Sequence, residues 1–412
     1  MKKNLIIIMT LLIALVNIQI VNAAYDPNHG VAMSVGTNYS STLQSDIDTT
    51  QDAINAQTAF ASMGFNSYYQ NVPTYQYLRG NNPYTGLPRM ESKILFFSGH
   101  GDYNSITFNY KNQGGDKKTG IWWENNTDFS KTGFKLAGIY SYNMNKVKLA
   151  IFGACKTASG FDNLAKRAND KGVETSLGWS VSIGAASHSQ WFNNFFTELK
   201  KSGRTVQAAI NYANSISYVD NRVKNVVIYG NPQYTPTWDT GLQSINQPLS
   251  YKIKEYVVSR KIEKTFDENN IKNIINSTIK EKISKDFNIN DYYYEINGSG
   301  NTKYIDLSYM FNGAKTSSSY TIVIENNIIT RIVDNTKPIP QNSLKNTITD
   351  LNVKNYLNDI KKKLLSENKN YEIISQKSEI IYDIYDAKYK VLSFTEVKDV
   401  ETQTFYVYEN IN

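Results

Sequence analysis

The chain has 412 residues, 41% of them hydrophobic and 20% charged, which is enough apolar material for a full core and too much for a disordered polypeptide. The net charge is +7, but lysines and acids are interspersed with no block of five like charges, a solvated surface rather than a nucleic-acid or polyanion binding tract. One cysteine, Cys155, excludes an internal disulfide framework, so stability must come from burial.

Residues 1–24 follow the pattern of an export signal: Lys2 and Lys3, an apolar run from Leu5 to Val16, then small residues at Val21, Ala23 and Ala24. Cleavage after Ala23 or Ala24 is expected, giving a secreted, extracellular product with no stable membrane anchor; an uncleaved anchor is the alternative. No other long apolar segment follows. In an oxidising compartment a lone cysteine is either a small buried hydrophobe or a working thiol.

From residue 25 to about 240, short apolar runs alternate with helical patterns. GVAMSVG (30–36) reads as a strand, residues 45–65 as a helix capped by Ser45 or Asp46 and stopped by Gly64, and FNSYYQ (65–70) as a strand. KILFFSGHG (93–101) and VKLAIFGAC (147–155) are apolar throughout, as strands buried on both faces must be. The polar segment from Lys111 to Tyr142 reads as a mobile loop and a candidate for an activating cut. After Cys155 come a helical stretch ending at Gly172, a strand in 173–184, helices over 189–203 and 205–216, and a strand over 223–230. This alternation predicts an α/β domain: a doubly wound, mostly parallel sheet with helices on both faces.

Beyond Pro248 the composition shifts to Lys, Asn, Ile and Tyr. NIKNIINSTIK (270–280) resembles NVKNYLNDIK (352–361), and SYTIVIENN (319–327) resembles TFYVYENI (404–411). A smaller α+β C-terminal region is therefore expected, as one unit over 250–336 and a second over 344–412 that is a candidate repeat of the first, with two prolines between.

In an open α/β sheet ligands bind beyond the carboxyl ends of the strands. His100 and Cys155 each lie one step past such a strand, and a cysteine nucleophile needs a base to raise its thiolate fraction. ILFFSGHGD (94–102) and LAIFGACKT (149–157), in that order, resemble the caspase-like (clan CD) cysteine peptidases, a group that includes caspases, legumains, gingipains and clostripain-like enzymes. The resemblance covers residues 25–240 and none of the C-terminal third. It implies a cysteine-type endopeptidase acting through an acyl-enzyme, with catalytic His100 and Cys155, an oxyanion hole from the backbone NH groups of Gly101 and Cys155, and a substrate-binding wall near Gly153, Trp179 and Ser180. Gly153 stands where caspases carry glutamine and clostripain-like enzymes an acidic residue, so neither aspartate nor arginine specificity follows, and Trp179 reads equally well as a core aromatic.

The expected partner is a protein or peptide substrate, not nucleic acid, with the C-terminal region as a candidate contact of the catalytic domain. No cofactor is expected. One cysteine and three scattered histidines show no metal-ligand spacing, and a structural calcium at the Asp-containing loops stays open. Two other readings also stay open: a catalytically inactive caspase-like binding protein, and a sortase-like transpeptidase with Arg167 as its arginine.

Overall fold

The computed structural model describes residues 30–39, 48–71, 73–83, 85–109, 118–129, 134–236, 254–262, 268–298, 301–336, 357–359, 361–362, 371–383, 388–399 and 405–411. The expected export signal lies outside them. No helix among the described residues is long and apolar enough to cross a membrane.

The protein is α/β, with two sheets and few helices. The first sheet has six strands: β1 (Val31–Val35), β2 (Asn66–Gln70), β3 (Ile94–Ser98), β9 (Leu149–Gly153), β10 (Thr175–Trp179) and β11 (Val226–Gly230). Its order is β11-β10-β9-β3-β1-β2, with every neighbouring pair parallel except β10 and β11. The strands are short and apolar because side chains alternate between two cores. Ile94 and Phe96 face one, Leu95 and Phe97 the other.

Those two faces are covered differently. The helices α1 (Thr50–Ser62), α4 (Ala185–Leu199) and α5 (Val206–Ser215) bury Phe60, Trp191, Phe195 and Ile210 on one face. The other face receives Leu78 from the short α2 (Tyr75–Arg79) and Leu164 and Ala168 from α3 (Leu164–Asp170), but also Phe108, Ile121 and Ala137 from strands of the second sheet. The expectation of a sheet wrapped by helices on both faces therefore needs correction, because β-structure covers much of the second face.

That β-structure is β4 (His100–Asp102), β5 (Ser105–Asn109), β6 (Lys118–Trp122), β7 (Thr127–Phe129) and β8 (Phe134–Gly138). Three of these strands lie in the segment expected to be a mobile loop. The polar composition hid an alternation that sends Ile121, Phe134 and Leu136 inward. The helix expected from residue 45 begins at Thr50 instead, since the Thr49 hydroxyl is used by the Ser98 carbonyl (2.8 Å) and ties the start of α1 to the end of β3. Gly64, at φ +89°, ends α1 as expected.

The C-terminal third comprises β12 (Lys254–Lys261), α6 (Glu268–Lys282) and the strands β13 (Tyr292–Asn297), β14 (Thr302–Phe311), β15 (Ala314–Glu325), β16 (Ile328–Asn335), β17 (Tyr371–Asp383), β18 (Lys388–Asp399) and β19 (Phe405–Ile411). Ile271, Ile275 and Ile279, four residues apart on α6, pack on Ile305, Leu307 and Ile322. Of the helix expected over 352–361, residues 357–359 and 361 are helical and the others lie outside the described residues. β15 pairs in parallel with β17 through Lys315 and Thr316. β19 pairs antiparallel with β4 through Phe405 and Gly101. Among the described residues the second sheet thus has thirteen strands and runs from the C-terminal third into β4–β8.

Candidate active site

The apolar run that ends in His-Gly does not continue as one strand. β3 stops at Ser98, the chain turns at Gly99, and β4 joins the second sheet through β5, pairing His100 with Thr107. A side chain at 99 would collide with the Tyr39 hydroxyl, 2.4 Å from where a Cβ would stand. That hydroxyl accepts from the His100 backbone N–H (3.0 Å) and donates to the Thr107 carbonyl (2.5 Å), while the Tyr39 ring lies 4.2 Å from the imidazole. Tyr39 therefore fixes both the backbone and the ring face of His100.

Cys155 follows β9, the immediate neighbour of β3. Lys156 after it is left-handed (φ +60°), a conformation that costs a non-glycine residue about 1–2 kcal/mol. The Thr157 hydroxyl secures the turn, donating toward the carbonyls of Phe152 (2.8 Å) and Ala154 (3.1 Å). The turn approaches β4 closely. A Cβ on Gly101 would stand 2.6 Å from the Ala154 Cβ and 2.9 Å from the Cys155 carbonyl oxygen, so glycine after the histidine is required by packing alone.

His100, Cys155, Gly99 and Ala154 line one cavity, together with Asp48, Asp52, Ile183 and His188, and with Val407 from β19. The Cys155 sulfur exchanges long hydrogen bonds with Ile183, accepting from its N–H (3.5 Å) and facing its carbonyl (3.6 Å). Burial pushes the thiol up to about 11, against the Ile183 N–H and the charge of Arg222, so it is protonated at neutral pH. Burial likewise pushes Asp52 up to about 6 although the Ser189 (2.6 Å) and Ser98 (2.8 Å) hydroxyls donate to it. His188 is pushed down to about 3 by burial against Trp179 and Phe192 and stays neutral.

The residues expected to form a substrate wall are placed elsewhere. Trp179 is fully buried, donates its indole N–H to the Val223 carbonyl (2.7 Å) and packs edge-on against Trp191, so it belongs to the core and does not line the cavity. Gly153 lies against the Phe192 ring, which a Cβ would meet at 2.6 Å. The Ser180 backbone and hydroxyl both bond the Asn225 carbonyl. Arg167 is held by Asp162 on the outer side of α3, away from the cavity.

Sequence reasoning missed Asp52, His188 and Val407. Asp52, an acidic residue in the first turn of a helix that follows the first parallel strand, carried a readable signal, since that helix must begin near the strand ends. Val407, more than 250 residues from Cys155, carried none. Among the described residues no group of three or more His, Cys, Asp or Glu side chains is placed to hold a metal ion.

No family model and no curated protein sequence matches the chain. Among solved structures it is similar to the Arg-specific cysteine proteinase gingipain R (RGPB), at 8% identity over 93% of this chain and 67% of that one, with a TM-score of 0.32. The Porphyromonas gingivalis RgpB complex of pro- and mature domains gives 8% identity, 93% and 69% coverage and a TM-score of 0.31. The C-terminal domain of Bacillus megaterium YpeB gives 12% identity over 37% of this chain and 69% of that one, with a TM-score of 0.17. At such scores the likeness carries no argument about activity, and the case for the site rests on its own geometry.

Proposed function

We propose that the protein is a secreted cysteine endopeptidase using Cys155 as nucleophile and His100 as general base and acid. The observation that supports this most is convergence: two residues 55 apart in sequence leave neighbouring parallel strands into one cavity. His100 takes the thiol proton and Cys155 Sγ attacks the peptide carbonyl carbon, the displaced electron pair resting on an oxygen held by the NH groups of Gly101 and Cys155. Collapse breaks the C–N bond as the imidazolium protonates the departing amine. Water, deprotonated by His100, then attacks the thioester and releases the acid and the thiol.

One observation favours a second reading, an inactive binding protein. The thiol is buried and raised to about 11, the state of an inert cysteine.

A peptide-library cleavage assay on full-length wild type, His100→Ala and Cys155→Ser, each before and after limited proteolysis, separates the readings. Endopeptidase chemistry predicts cleavage that falls at least ~100-fold in both variants. Cleavage retained in Cys155→Ser, or none from wild type under either condition, would sink the proposal.

A further inference from the structure

The last two strands of the chain form a hairpin seated against the thiol cavity. Leu392 to Lys398 of β18 pair with Phe405 to Ile411 of β19, and among the described residues Val407 is the one cavity-lining side chain from outside the N-terminal region. Val407 is 4% exposed and shares one apolar cluster with Cys155, Ile183 and Phe394. β5 takes one edge of β4, and β19 takes the other at Gly101, the residue next to His100. An unpaired edge there would be a place for an extended peptide to add as a strand.

Polar contacts clamp the hairpin on each side of the cysteine. Glu396 accepts from the Ser182 hydroxyl (2.6 Å) and pairs with Lys156 (3.1 Å), the residue after Cys155. Burial alone would raise the Glu396 carboxyl; the Ser182 hydroxyl and the Lys156 ammonium, with a bond from the Ser375 hydroxyl (3.3 Å), instead hold it below its ordinary value. The Arg222 guanidinium, gripped by Asp220, lies 5.0 Å over the Phe394 ring. Charge signs match across the seam: the acid Glu396 meets Lys156, and Lys398 acts on Asp102 of β4.

We infer that the β18–β19 hairpin is an internal cover that closes the thiol cavity and occupies the strand edge beside His100, keeping the full-length chain latent until the hairpin is displaced. This rests on the endopeptidase reading for its purpose but not for its test, because access to the thiol can be measured without any substrate. Glu396 and Val407 act here as residues of the cover and have no part in bond cleavage. Displacing the hairpin would return the Cys155 environment to water and free the second edge of β4 together.

The test is the rate of Cys155 alkylation by iodoacetamide in the full-length protein, with peptide hydrolysis followed in parallel. Cys155 is the sole cysteine, so labelling has no background. Val407→Asp puts a charge into the apolar contact, Glu396→Ala removes the clamp without touching the strand core, and Val257→Asp, at an 85% exposed position on β12, controls for unspecific effects. Alkylation is expected to rise roughly tenfold to a hundredfold in the first two and to stay at the wild-type rate in the control. Should Val407→Asp fail to melt cooperatively, Glu396→Ala decides alone. Unchanged alkylation in a folded cover variant, or an equal rise in the control, overturns the cover. Faster alkylation without hydrolysis leaves the cover standing and removes the endopeptidase reading.

Discussion

Two buried ionisable side chains in the cavity pull stability in opposite directions with pH. Asp52 has its pKa raised to about 6, so folding disfavours its ionised form. Its contribution is fully present below the ordinary carboxylate value and is lost as pH rises through about 6. Asp52→Asn keeps partners for Ser98 and Ser189 and removes that penalty; it should stabilise the protein at pH 7 by about 1–3 kcal/mol and flatten the pH 4–6 slope, read by denaturant melts across that range. A variant no more stable than wild type at pH 7 would show that Asp52 is not strained by burial. His188 works the other way, because its pKa is depressed to about 3. It favours the fold above its ordinary value and costs stability as pH falls from there. Tyr39 and Gly101 belong to the same scale: one immobilises His100, and the other lets the cysteine turn approach it.

At the scale of elements, the parallel strands were readable because burial on both faces leaves continuous apolar runs, and α6 because its isoleucines recur every four residues. Ile275 is fully buried between α6 and the strands it covers, so Ile275→Ala should cost about 2–5 kcal/mol of transfer and cavity free energy, measured as a drop in the denaturant midpoint without a change in slope. A loss under 1 kcal/mol would mean that the helix is only loosely seated. The strands β6–β8 were not readable, since across residues 111–142 Gly, Asn and Lys outnumber the few inward residues. The split of ILFFSGHGD between two sheets was hidden for another reason: Gly99 interrupts an apolar run without interrupting its composition.

At the scale of the whole molecule, the C-terminal third is joined to the N-terminal region by more than the hairpin. The Lys224 ammonium and Asp306 carboxylate are both essentially unexposed and paired, and Asn297 and Thr321 also donate to Asp306. Removing one member of such a pair strands a buried charge, whereas replacing both with apolar groups is often neutral. Lys224→Met should therefore destabilise the chain by about 3–5 kcal/mol, and Lys224→Met with Asp306→Asn, which removes both charges and leaves Asn297 and Thr321 an acceptor, should recover part of the loss, seen in thermal or denaturant melts. Additive losses in the double variant would show that the pair is not coupled. The same anchor makes wholesale deletion of residues 254–411 a poor probe of latency, since it would leave Lys224 without its carboxylate.

The sequence by itself determined the central parallel strands, that the fold is α/β, and that His100 and Cys155 come just after two such strands, because burial and strand periodicity leave a local imprint on residue order. Only the tertiary structure decided that Trp179 is core, that Asp52, His188 and Val407 line the cavity of Cys155, and that Phe394 and Glu396 pack beside it. Those relations join residues that are dozens to hundreds of positions apart. They depend on strand order and on a sheet that joins β4–β8 to β12–β19, which no local spacing records.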